Sequence, residues 1–330
     1  MMKNTKLNSI FSVALALLLA VLLTASCATK RPRNQTQPNV VKSPPTPSDS
    51  VPDEPPEEPV IPPKPPAERP PKVALLLGGA GVASFATVGL LKRFQQEGIS
   101  VEVIIASGWP ALFALSNGFM RSVHDLEWFA MRLKQEDFFA SGGLFSSSNS
   151  EFNSHDQLLK LVTSQFRQTD LRQAKTPVYL AASSLHDGGT SYVSSGPWKD
   201  ALMKAMSVPG IHRPYPTNGS RQWVSSFAGL GMGQGVLRRV DHVVTVDMYG
   251  DYFQHLRKKK VDSVGDLFRR LYQVQFQRKV ANEMGQSRLK ASIVLNRSPD
   301  NFSSRRQAIK AGYDAATEII AQIRKSSPRP

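Results

Sequence analysis

The stretch "VIIASGWPALFAL" (residues 103–115) decides the fold. Its first half is a run of β-branched and small apolar residues without polar alternation, the pattern of a strand buried on both faces. Gly108 interrupts the run. Pro110 suits the first position of a helix, where its fixed φ fits and its missing N–H costs no bond. A buried strand, a sharp turn and a helix in that order predict one βα unit of a mostly parallel sheet.

The residues before it extend the pattern. "KVALLLGGAGVAS" (residues 72–84) is an apolar strand running into glycines, residues 85–97 have helical spacing, and Gly98 closes that helix. Strand, helix, strand at this length implies a right-handed parallel crossover. Further strands are expected at 178–183, 191–194, 222–225, 242–246 and 291–295, with helices at 123–134, 154–166, 198–206 and 303–325. The fold class this predicts is three-layer α/β, a mostly parallel central sheet with helices on both faces.

The chain divides into three parts. Residues 1–26 have the layout of an export signal: Lys3 and Lys6, an apolar run at 10–23, then small residues up to Cys27. Those 14 residues, all apolar but Ser12, rise only about 21 Å as a helix, short of the roughly 30 Å hydrocarbon core of a bilayer. Cys27 is the single cysteine, so no disulfide framework exists. It is either a free thiol or the end of "LLTASC" (residues 22–27), which resembles the lipobox of bacterial lipoproteins. That resemblance implies acylation of Cys27, an N-terminal lipid anchor in the cell envelope and, with Ala28 following, an outer-membrane location facing the periplasm. From 28 to 71 the composition shifts to Pro, Ser, Glu and Lys, with 15 of the chain's 24 prolines. Such a stretch buries too little apolar surface to fold, and as polyproline II it reaches up to about 130 Å. Residues 27–71 therefore read as an anchor and tether. Residues 72–330 read as one globular domain.

The net charge is +15, and the last 80 residues hold 17 Lys and Arg against 7 Asp and Glu. "RKKK" (residues 257–260) belongs to that basic third. It is either a solvated helix face or a contact for anionic lipid or cell-wall polymer. Nucleic acid is not an expected partner of an exported chain.

The glycine turn at Gly78, Gly79, Ala80 and Gly81 admits two functional readings. "GAGVAS" (residues 79–84) approximates a dinucleotide fingerprint, but the next strand ends in Ala106 and Ser107 where the ribose-binding acid belongs. In the other reading its backbone amides form an anion or oxyanion site facing the turn at Gly108. The six histidines show no metal spacing, so neither a metal nor another cofactor is expected.

Laid without a gap against the bacterial patatin-like phospholipases, residues 72–115 resemble the family's strand, G-G-G-x-R-G loop, helix and G-x-S-x-G elbow. The glycines at 78, 79 and 81, Phe85, Gly89, Leu91 and Gly98 match. "SVPGIHRP" (residues 207–214), "HVVTVDM" (242–248) and "AIKAGYDAA" (308–316) continue the likeness in order. The residues that carry the family's chemistry do not match. The nucleophilic serine falls on Gly108, the flanking elbow glycines on Ala106 and Pro110, the dyad aspartate on Ser225 and the oxyanion-loop arginine on Ala83. A serine hydroxyl is neither ionised near neutral pH nor a useful proton acceptor. Loss of a nucleophile alone costs about six orders of magnitude in turnover.

The resemblance thus implies a patatin-like pseudoenzyme with a binding or scaffolding role toward a lipid, polymer or protein of the envelope. Two alternatives stay open. One is an acyl hydrolase that has moved its chemistry to Ser84, Ser107, Ser225 or Ser226. The other is a lipid-binding protein that uses the vacant pocket. Trp109, next to the lost nucleophile, is expected to plug the acyl space. "HDGG" (residues 186–189) contains the D-G-G pattern but precedes a hairpin strand and reads as its turn.

Overall fold

The computed structural model describes residues 69–139, 156–216, 221–226, 237–258 and 260–326. Strand β1 (Lys72–Gly79) leads through a 3-10 turn (Val82–Phe85) into α1 (Ala86–Gln96), and β2 (Ser100–Gly108) follows. Pro110 opens α2 (Pro110–Phe119), as its fixed φ requires. Then come α3 (Val123–Arg132), α4 (Gln135–Phe138), α5 (Asp156–Gln165), β3 (Val178–Ser184), β4 (Thr190–Val193) and α6 (Trp198–Met206). The short strands β5 (Tyr215–Pro216) and β6 (Gln222–Ser225) precede β7 (His242–Met248). Helices α7 (Gly250–Lys258) and α8 (Val264–Gln286), strand β8 (Leu289–Ser292) and α9 (Arg305–Ser326) complete the described elements.

Strands β3, β2, β1, β7 and β8 lie side by side and run parallel, flanked by helices, which is the α/β class expected. The antiparallel pieces hang on β3. Leu180 faces both Ala106 and Val193, and Ala182 faces both Ser225 and Ser191. Strand β4 therefore occupies one edge of β3, while β2 and β6 share the other edge end to end. The consequence is that the end of β6, at Ser225, meets the end of β2.

Every residue of β1 from Val73 onward is buried, which its uninterrupted apolar run dictates. Val73, Leu75 and Leu77 join one core with Ile104, Ala106, Val244 and Val246; Ala74 and Leu76 join a second with Val103 and Ile105. Helix α9 crosses α1 at two glycines: a Cβ on Gly89 would lie 1.9 Å from the Ile309 carbonyl, and one on Gly312 2.0 Å from the Ala86 carbonyl. The compact unit Pro66–Pro330 holds all of these elements and a core of its own, as an independently folding domain does. Arg69, assigned above to the tether, pairs with Asp241 at 2.8 Å.

The last expected strand, 291–295, is found as Leu289–Ser292. Ile293 still donates to Asp247, but the Asp251 carboxylate then takes the amides of Leu295 and Arg297, and Asn296 turns to φ 56°. Those bonds pull the chain off the ladder. No helix of the described residues is long and apolar enough to cross a membrane.

Candidate functional site

Parallel pairing brings three strand ends to one level. Gly79 is in register with Gly108 on one side and with Met248 on the other. Because β6 continues the line of β2 along β3, Ser225 arrives at the tip of β2 as well. The structure thus brings together Gly108, Ser225 and the glycine loop, which the sequence holds apart by up to about 150 residues.

Gly108 has φ +69°, the left-handed region that L side chains enter only at a cost. A serine nucleophile on such a strand-to-helix turn bears that strain with its side chain exposed above the sheet. Here there is no room for it: a Cβ at Gly108 would lie 1.9 Å from the Gly79 carbonyl oxygen and 2.9 Å from the Tyr249 hydroxyl. The amide of Trp109, the residue after Gly108, donates to that same Gly79 carbonyl at 3.1 Å. An elbow enzyme uses that amide for the oxyanion.

The glycine loop is turned inward in the same way. The Ala80 amide donates to the Met248 carbonyl at 3.4 Å and the Val82 amide to the Pro299 carbonyl at 2.7 Å. Gly81, at φ +73°, leaves only 2.5 Å between a would-be Cβ and the Pro299 oxygen. Gly78, Gly79, Ala80, Gly81 and Ala83 are all buried.

Tyr249 is the residue the sequence did not single out. It follows β7 directly, and its side chain is wholly buried among Tyr252, Phe253 and Phe276. Its hydroxyl stands beside the hydroxyls of Ser107 and Ser225 and the backbone of Gly79. Burial pushes the Tyr249 phenol far above its ordinary range, and the contacts to Ser107, Ser225 and Gly79 only partly offset this. Three hydroxyls, all neutral near pH 7, therefore meet where a nucleophile and an ionised base would be needed. Two carboxyls lie two residues away in sequence: Asp251 holds the amides of Leu295 and Arg297, and Asp247 Oδ1 accepts from the Tyr249 amide at 2.9 Å. Burial raises the Asp247 pKa from 3.8 to about 6 against that hydrogen bond. One signal could have found Tyr249: it sits at the carboxyl edge of a central parallel strand, where such folds place their sites.

Trp109 is fully buried and stacks on Phe138 with centroids 4.3 Å apart. Its indole N–H donates to His212 Nε2 at 3.1 Å, which leaves the proton of a neutral His212 on Nδ1. Phe139 and Phe302 close the same cluster, so the indole is a packed core element. Of the other serines, Ser84 and Ser226 are buried too. Ser226 Oγ lies 3.3 Å from both Thr190 Oγ1 and Lys279 Nζ. "HDGG" is the β3–β4 turn, in which Asp187 Oδ1 accepts from the Gly189 amide at 2.9 Å. Among the described residues no group of His, Cys, Asp and Glu could hold a metal ion. A groove of about 670 Å3 lies elsewhere, between α1, α3 and α9, lined by Lys92, Trp128, Met131 and Tyr313 among others. Cys27 and residues 1–68 lie outside the described residues.

No known family model matches the chain. Among solved structures it is similar to VipD from Legionella pneumophila, with TM-score 0.44 and 11% identity over 78% of this chain and 67% of that one.

Proposed function

We propose that this chain is a patatin-like pseudoenzyme, lipid-anchored through Cys27, which keeps the frame of an acyl hydrolase without its chemistry and serves as a binding or scaffolding component of the cell envelope. The observation that carries the reading is the filled space at Gly108. The position lacks a nucleophile, and the Gly79 carbonyl and the Tyr249 hydroxyl stand where a side chain would go. Support also comes from the amides of Trp109 and Ala80, both engaged in internal bonds, and from Ser225 in place of an ionisable base.

The packing weighs against both alternatives. A displaced nucleophile at Ser107 or Ser225 meets Tyr249, whose raised pKa keeps it protonated and so no base. A lipid pocket at the old acyl site would need the space of Trp109, which is fully buried against Phe138, Phe139 and Phe302. The test is turnover of a short-chain nitrophenyl ester by the Pro66–Pro330 unit. The expected rate is that of buffer alone. Hydrolysis that disappears on substituting Ser107, Ser225 or Ser226 by alanine would overturn the proposal.

A further inference from the structure

Helix α8 is apolar on two faces. On the inner one Gln273, Phe276 and Val280 are buried, and the Phe276 ring meets Tyr249 edge-on at 5.0 Å. On the outer one Val264, Leu267, Phe268, Leu271 and Val274 stand in solvent, with Phe268 67% exposed and Val264 70%. At 100° per residue those five positions fall within an arc of about 120°, one continuous stripe. Single exposed apolar residues need no explanation, but a stripe of five does.

Cations border the stripe. Arg257, Lys258 and Lys260, in the segment leading into α8, are all exposed, and so is Arg278, which continues the stripe by one turn. Arg270 Nη2 donates to the Arg257 carbonyl at 2.9 Å and ties that basic segment to the helix. Asp262 and Asp266 offset part of this charge, and Asp266 is engaged with Ser263 at the helix start.

We propose that this face of α8 docks on an anionic bilayer surface. The apolar stripe enters the boundary between headgroups and acyl chains, and the flanking cations engage the lipid headgroup charges. The charge pattern selects this occupant over a second copy of the chain. Antiparallel pairing of two stripes would set Arg257, Lys258 and Lys260 against the other copy's Arg278, and parallel pairing would set them against themselves. Net positive charge meets net positive charge either way, because Asp262 and Asp266 offset only two of the four cations of "RKKK" (residues 257–260), whereas an anionic surface answers the excess. This docking is independent of whether the site at Gly108 hydrolyses esters.

The experiment is flotation of the Pro66–Pro330 unit with vesicles of phosphatidylcholine alone and of phosphatidylcholine with about 30 mol% phosphatidylglycerol. The unit should partition at least roughly tenfold more strongly onto the anionic vesicles and lose that preference at high salt. Phe268→Ser with Leu271→Ser should lower binding about tenfold or more. Lys258→Gln and Lys260→Gln should each cost about fivefold. The substituted side chains are exposed, so melting temperatures should stay within a few degrees of the parent, which separates lost docking from lost folding. Equal or absent binding to the two vesicles, or unchanged binding by the Phe268 and Leu271 double variant, would overturn the proposal. So would a concentration-dependent dimer that this double variant abolishes without any vesicle binding, since a second copy would then own the stripe.

Discussion

At Gly108 the surroundings occupy the space that a side chain would take. The Gly79 carbonyl sits 1.9 Å from the Cβ position and accepts the Trp109 amide. Gly108→Ser should therefore bring no ester turnover and cost about 2–5 kcal/mol, from left-handed strain plus overpacking. A melt would show it as a drop of roughly 5–15 °C, and full stability with a gain of ester turnover would contradict this geometry. Asp247 supplies a pH signature. Its folded pKa of about 6 lies above the ordinary 3.8, so the native state holds a proton that the unfolded chain has already released. Stability from the neutral form is thus full below about pH 4, declines as pH rises to about 6 and then stays flat. Asp247→Asn keeps the acceptor for the Tyr249 amide and removes the titration. It should flatten stability between those pH values and gain up to about 3 kcal/mol above pH 6, measured as denaturant midpoints across pH.

Among the elements, the α1–α9 contact and α8 show what sequence does and does not reveal. Gly89 and Gly312 were visible only as matching letters of a resemblance; the structure gives them a reason, since each lets the opposing backbone approach within a side chain's width. Gly312→Ala should cost about 1–3 kcal/mol despite alanine's better helix propensity, because the Ala86 carbonyl cannot retreat without moving α1. Gly285→Ala, in α8 with nothing within 4 Å, should instead stabilise by about 0.5–1 kcal/mol. Opposite signs in two melts would confirm that contact, and equal signs would contradict it. Helix α8 escaped the sequence reading because its apolar residues serve two directions. An inner set and an outer stripe cancel each other's periodicity, leaving 23 residues with no single apolar face to count.

Across the whole molecule the parallel core was legible because β1 is a continuous apolar run and β2 and β7 are rich in β-branched residues, a pattern that suits strands buried on both faces. The strand at 291–295 was misplaced because the Asp251 side chain takes over its backbone amides, a tertiary bond that no local pattern encodes. The site was half legible. Spacing located Gly108 and the glycine loop, but only the sheet register brings Ser225 to the tip of β2 and Tyr249 beside both. The pseudoenzyme proposal requires that this assembly contain no activated serine. It is tested most directly by incubating the Pro66–Pro330 unit with a fluorophosphonate probe and weighing the intact protein by mass spectrometry. The expected mass is unchanged. A stoichiometric adduct that maps to Ser84, Ser107, Ser225 or Ser226 would contradict it.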